Sequence, residues 1–142
     1  MTKEEFIVKE QVRIRRRHQA KHNEMGDRET FANWYIEQLL KQNLECFYCS
    51  TSIIDINLLI DRGKLKVRNV RGDGVRGRVL EIDKMENEKG YCADNCVLAC
   101  YYCNNDKSYT LDSKTYKEHF GFNRHRYHQL LLSKIKPLTA NG

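Results

Sequence analysis

The sequence predicts an α+β fold in which helices at both ends flank a short pair of strands tied together by cysteines. Three observations predict it. Apolar residues recur at helical spacing near both ends, strand-like alternation is confined to the middle, and six cysteines fall in close pairs at 46/49, 92/96 and 100/103. The 142 residues suit a single domain, with N-terminal helices over 1–44, a core over 45–108 and C-terminal helices over 109–142.

Residues 3–25 read as a helix rich in Glu, Lys and Arg, with Phe6, Ile7, Val12 and Ile14 as sparse apolar positions. A turn at Gly26-Asp27 follows. Residues 28–43 set Phe31, Trp34, Tyr35, Ile36, Leu39 and Leu40 at helical spacing, and this second helix is expected to supply most of the core. Cys46 to Cys49 is a tight knuckle. The apolar run at 52–60 fits a short helix or a strand, and periodicity does not separate them. Lys64 to Val70 alternates as a strand with Leu65 and Val67 on one face. Residues 71–77 carry three glycines and two arginines and read as a mobile basic loop; strand character resumes from Arg78 to Asp83. The polar stretch after Cys103 looks helical, and Arg124 to Lys136 forms a last helix with Leu130, Leu131 and Ile135 as its stripe, ended by Pro137.

Charge narrows the partners. The net charge is +6, and the excess is clustered. Residues 62–78 hold Arg62, Lys64, Lys66, Arg68, Arg71, Arg76 and Arg78 against one acid, Asp73. Arg13, Arg15, Arg16 and Arg17 form a second cluster. Clustered cations point to a polyanion, because each phosphate they neutralise releases condensed counterions. No run approaches the roughly 18 apolar residues of a membrane span, and the N-terminus lacks an apolar signal core, so the expected location is the cytoplasm.

The cysteines carry the stronger signal. Thiols of a cytoplasmic chain stay reduced, and close Cys pairs there bind metal rather than form disulfides. Cys46, Cys49, Cys100 and Cys103 make two C-x2-C knuckles and a closed four-cysteine zinc site, which leaves no open position for catalysis. Cys92 and Cys96 are left over, and their partners are expected to be His119 and His125 in a second structural zinc site. His128 lies on the same segment, and His18 and His22 are rivals on the first helix.

Between the knuckles run Leu80-Glu81-Ile82-Asp83-Lys84, then Asn95-Cys96-Val97-Leu98, then Cys100-Tyr101-Tyr102-Cys103-Asn104-Asn105-Asp106-Lys107. Over 46–107 this pattern resembles the HNH (ββα-metal) endonucleases. Members carry a strand ending in Asp-His, an Asn-hydrophobic step on the return strand, and C-x2-C-N-x-x-K entering a helix. The resemblance implies that Asp83 and Asn104 ligate one catalytic Mg²⁺ (or Mn²⁺), that Asn95 braces the intervening loop, and that Lys107 closes the motif beside the DNA backbone. A hard cation with oxygen ligands suits phosphodiester chemistry, because it neutralises charge on the phosphorane and on the leaving oxygen.

One departure is chemical. The family places a His after the strand Asp as the base that activates water, and here that residue is Lys84. Lys84 is better suited to face a phosphate as a cation. Tyr91, between Asp83 and Asn95, is the expected substitute as orienter or base, if nearby cations favour its phenolate; Tyr48, Tyr101 and Tyr102 are rivals. The resulting expectation is a restriction-type endonuclease that leaves 5′-phosphates at a short palindrome in double-stranded DNA. Cutting both strands implies a homodimer. Arg13, Arg15, Arg16, Arg17, Arg71, Arg76, Arg78 and Lys107 are the expected DNA contacts. A zinc-built DNA-binding module without catalysis, and a homing or phage nuclease, are the competing readings.

Overall fold

The computed structural model describes residues 1–72 and 74–135. The chain opens with α1 (Lys3–Arg15), started by a capping box between Thr2 and Glu5. This helix stops ten residues before the sequence pattern suggests. Ala20–Met25 instead forms a separate 3₁₀ turn, folded back so that His22 stacks on Phe31 with ring centroids 4.5 Å apart. Asp27 caps α2 (Arg28–Lys41) by accepting from the Thr30 amide. The buried face of α2 is Phe31, Ala32, Tyr35 and Leu39, which forms the centre of the core, while Trp34 and Ile36 pack at its margin.

A buried polar knot joins the first helices to the middle of the chain. Glu10 is 2% exposed and receives Arg13 Nε at 2.6 Å. The Tyr35 hydroxyl lies within hydrogen-bond distance of both Glu10 Oε1 (2.8 Å) and the Leu80 carbonyl oxygen (2.7 Å). Buried charge is tolerated where it is paired and hydrogen-bonded.

After the first knuckle, Ser52 caps α3 (Ile53–Asp61), which resolves the 52–60 run as a helix burying Ile53, Ile56 and Leu59. The expected strand at 64–70 is paired only over β1 (Arg68–Val70), although Leu65 is buried as its alternation requires. The expected mobile loop is the far side of a hairpin: β2 (Gly74–Arg76) pairs antiparallel with β1, Arg68 opposite Arg76. A second antiparallel pair, β3 (Glu81–Lys84) with β4 (Cys96–Ala99), sets Asp83 opposite Val97. The chain then enters α4 (Tyr101–Lys107) directly.

Residues 113–134 are almost continuously helical, as α5 (Ser113–Tyr116), a π turn over Lys117–Gly121 and α6 (Phe122–Lys134). Gly121 lies against the Tyr48 carbonyl so closely that a Cβ there would collide with backbone, which seats α6 on the first knuckle. The stripe expected on this helix is corrected. Leu131 is buried, Leu130 is 50% exposed, and the other buried residue is His128. Lys136 and Pro137 lie outside the described residues. The architecture is α+β with two small two-stranded sheets. Among the described residues no helix is long and apolar enough to cross a membrane.

Candidate metal centre and basic cleft

The first knuckle is shaped by Ser50 at φ +57° and by an amide of Tyr48 donating to Cys46 Sγ at 3.3 Å. The Phe47 amide donates to the Leu98 carbonyl oxygen, which ties this knuckle to β4. The second knuckle caps α4, with the Cys103 amide donating to Cys100 Sγ. Together they bring the sulfurs of Cys46, Cys49, Cys100 and Cys103 within 4.8 Å of one another, all buried. A tetrahedral ion with Zn–S of about 2.3 Å needs sulfurs roughly 3.8 Å apart, and Cys49 and Cys100 stand at 3.9 Å. Hydrogen bonds from Cys100, Cys103 and Cys46 hold the Cys49 thiol far below its ordinary range, while burial drives Cys100 up. A divalent cation relieves that conflict by favouring thiolate at all four. The residues fit structural zinc in number, kind and spacing.

His128 adds an outer layer that sequence reasoning did not assign. It is fully buried, with Nδ1 3.0 Å from Thr51 Oγ1 and 3.8 Å from Cys49 Sγ. Thr51 Oγ1 itself lies 3.3 Å from Cys49 Sγ. With Cys49 as a thiolate, the threonine hydroxyl must donate to sulfur and accept from His128. The only sequence signal was that His125 and His128 fall three apart on a helix.

Among the described residues Cys92, Cys96, His119 and His125 are not gathered into one group able to hold a metal. His119 is exposed on the π turn, and His125 Nδ1 donates to the Cys49 carbonyl oxygen at 2.8 Å, beside the first cluster. Cys96 is buried, its thiol pushed up to about 12, chiefly by burial and by Cys92. His18 and His22 do not join Cys92 and Cys96 either. His22 accepts from the Gln19 amide at Nδ1, and His18 Nε2 bonds the Gly26 carbonyl oxygen, so each keeps its other ring nitrogen, but neither is gathered with the two cysteines into a metal-sized group. Among the described residues the four-cysteine set is the one group of three or more His, Cys, Asp or Glu able to hold a metal.

Asn95, 3% exposed, sits where β4 begins and spans the β3–β4 loop. Its Oδ1 accepts from the Glu86 amide at 2.9 Å, and its Nδ2 donates to the carbonyls of Glu86 (3.0 Å) and Gly90 (3.1 Å). Asp83 points inward, 6% exposed. The Tyr48 hydroxyl donates to its Oδ2 at 2.5 Å, and the Lys107 ammonium stands 3.3 and 3.4 Å from its two oxygens. Burial raises the Asp83 carboxyl above its ordinary range, against the pull of Tyr48 and Lys107. Lys107 also donates to the Lys84 carbonyl oxygen and is fully buried, so it is not a surface contact for DNA, contrary to expectation. Asn104 faces the other way along α4, its Nδ2 donating to Glu81 Oε1 at 2.9 Å.

Glu81 and Asn104 lie in the wall of a cleft of about 420 Å³ that Arg13, Arg17, Lys21 and Arg76 also line. No known protein family, curated protein or solved structure matches this chain. Arg76 pairs with Glu81 at 2.6 Å and lies over the Tyr101 ring. Tyr91 carries the Lys21 and Lys84 ammonium groups at 5.1 and 5.0 Å from its ring centroid. Burial nonetheless raises its phenol above the ordinary value, so the phenolate required of a base is disfavoured. His22 lines the same cleft with its imidazole lowered to about 4 by burial, Lys21 and His18. Of the other predicted contacts, Arg15 pairs with Glu29, Arg78 with Asp61, and Arg16 and Arg71 are exposed.

Proposed function

We propose that this chain is a metal-dependent DNA endonuclease of the HNH type, built on one structural zinc ion and acting as a restriction-type homodimer on double-stranded DNA in the cytoplasm. The observation that carries the reading is the β3–loop–β4–α4 unit. Two antiparallel strands run straight into a helix, the loop is fastened by the Asn95 side chain, and the helix offers Asn104 to a cleft lined by four cations. Asp83, Asn95 and Asn104 occupy that unit in the order the resemblance requires.

The donor set suits a hard cation: a carboxylate and an amide oxygen, with the Lys107 ammonium already standing in as the cation beside Asp83. The resemblance gives Mg²⁺ or Mn²⁺ to Asp83 and Asn104, but Asp83 points inward and Asn104 faces the cleft, so both side chains would have to turn to hold one ion, which would supply charge neutralisation at the phosphodiester. For the carboxylate to reach such an ion, Lys107 must give up its place. Arg17 and Lys21 bind and orient the DNA backbone at the cleft, where Arg13 and Arg76 hold Glu10 and Glu81. Tyr91, neutral because burial raises its phenol, orients water by hydrogen bonding and does not deprotonate it.

A second reading is favoured by the same ion pair. Both Asp83 oxygens are committed to Tyr48 and Lys107, and position 84 lacks the imidazole, as in a zinc-built DNA-binding module without catalysis. Supercoiled plasmid incubated with Mg²⁺ separates the two. The endonuclease reading expects discrete linear fragments from the wild type, lost in Asp83→Asn and Asn104→Ala variants that still bind DNA. Binding without cutting in Mg²⁺ or Mn²⁺ selects the module.

A further inference from the structure

The β1–β2 hairpin is a sheet without a buried face. Among its described residues Arg68, Asn69, Arg71, Gly72, Gly74 and Val75 are exposed, and Val70 and Arg76 are half-buried. A two-stranded ribbon is marginal by itself in water, and this one sets Arg68 directly opposite Arg76. Like charges facing each other across a ladder destabilise it. Glu81 offsets Arg76 at 2.6 Å, which leaves Arg68 as the exposed charge of the pair.

The base of the hairpin is nevertheless anchored. Arg78 Nη1 donates to Asn57 Oδ1 at 2.9 Å and pairs with Asp61 at 3.0 Å, while Asn57 Nδ2 donates to the Arg78 carbonyl. On the other side the Tyr102 hydroxyl donates to the Lys66 carbonyl oxygen at 2.7 Å. Val70, Val75 and Arg76 form part of the cleft wall beside Glu81 and Asn104, so the hairpin stands next to the proposed site of cleavage.

We propose that this hairpin enters the major groove of duplex DNA as a two-stranded ribbon and reads base edges through Asn69 and Arg71, an inference that rests on the DNA reading above. The dimensions agree. Three residues of strand reach about 10 Å at roughly 3.3 Å each, and the major groove is about 8.5 Å deep and 12 Å wide, wide enough for a two-stranded ribbon. The chemistry agrees as well. Asn pairs in bidentate fashion with adenine and Arg with guanine, while an apolar side chain packs on the thymine methyl. Val75, 40% exposed and opposite Asn69, offers that apolar contact. Lys64, Lys66 and Arg68, all exposed, flank the ribbon at positions suited to the phosphates on either side.

The test is selection of bound sequences from a randomised duplex library by the zinc-loaded wild type, Asn69→Ala, Arg71→Ala and Arg71→Lys, together with affinity for one fixed duplex at several salt concentrations. The expected result is a wild-type motif from which Asn69→Ala and Arg71→Ala each erase preference at one or two positions, by on the order of 10- to 100-fold. Arg71→Lys keeps the charge but loses the planar fork, so it should keep affinity for non-cognate duplex while losing the same preference. An unchanged motif with affinity lowered for every sequence, and a salt slope reduced by about one per arginine removed, would make the hairpin a phosphate contact and overturn the proposal. A wild type that binds no duplex at all would instead overturn the DNA reading itself.

Discussion

Replacing Lys107 with Met tests the buried ion pair at the centre of the β3–β4–α4 unit. The ammonium is fully buried and, among the described residues, its polar partners are Asp83 and the Lys84 carbonyl, and methionine fills much of the same volume without charge. The variant leaves the 6% exposed Asp83 carboxylate with the Tyr48 hydroxyl alone. Stranding one member of a buried pair costs about 3–5 kcal/mol. Protonation sets a ceiling: holding a proton at pH 7 on a group whose unfolded pKa is about 3.9 costs about 4 kcal/mol. The Asp83 carboxyl is raised already in the wild type, so part of that cost is present before the change. The expected loss is therefore about 3 kcal/mol, read as the shift in urea unfolding of zinc-saturated protein by circular dichroism. The direction with pH follows from the raised carboxyl. Its contribution is full below the unfolded value and is lost as pH rises through the folded one, and Lys107→Met raises the folded value further. The deficit against wild type should thus be larger near about pH 7.5 than near about pH 5.5. Adding Asp83→Asn removes the stranded charge and should recover most of the loss. A Lys107→Met protein within about 1 kcal/mol of wild type, or a double variant less stable than the single, would refute the argument.

Three further outcomes are expected. Native mass spectrometry should find one zinc per chain, lost in Cys103→Ser; because zinc binding contributes on the order of 10–16 kcal/mol, chelation should unfold the protein, and two zinc ions per chain would contradict the single four-cysteine cluster. Asn95→Ala strips four backbone hydrogen bonds of the β3–β4 loop and should cost about 2–4 kcal/mol while abolishing cleavage, although Asn95 itself is buried; full activity would remove the loop brace from the account. The His22 imidazole, depressed by burial, Lys21 and His18, should titrate by NMR near about 4. Its stabilising effect is then present above the unfolded value of about 6.5 and lost as pH falls toward 4. A midpoint near 6.5 would place the ring in water instead of against Phe31.

Much of this arrangement is legible in the sequence because it rests on local pattern. The apolar period of 28–41, the knuckle spacings and the Asn95 and Asn104 positions are short-range signals, and the four-cysteine cluster follows from spacing alone. What was not legible depends on distant packing. The arginine-rich end of α1 contains no glycine or proline to stop it, yet the helix ends at Arg15 because His18 and His22 turn back onto Phe31 of α2. The glycines at 72 and 74 suggest a loop, but their positive φ angles are what allow a tight hairpin. Histidine counting offered His119 and His125 to a second zinc. The rotation of α6 turned His128 toward Cys49, while His119 is exposed on the preceding π turn, and no residue spacing encodes that rotation. The Glu10–Arg13–Tyr35 knot, which joins α1 and α2 to Leu80, is likewise visible only once the helices are packed.

The most direct test of the central claim is the chemistry of the DNA ends left by the wild-type, zinc-loaded protein with Mg²⁺ on end-labelled duplex fragments. The account predicts breaks at one short recurring sequence on both strands, each leaving a 5′-phosphate and a 3′-hydroxyl. Duplex bound tightly but left intact with either Mg²⁺ or Mn²⁺ would contradict it, and would make this fold a zinc-stapled DNA-binding module.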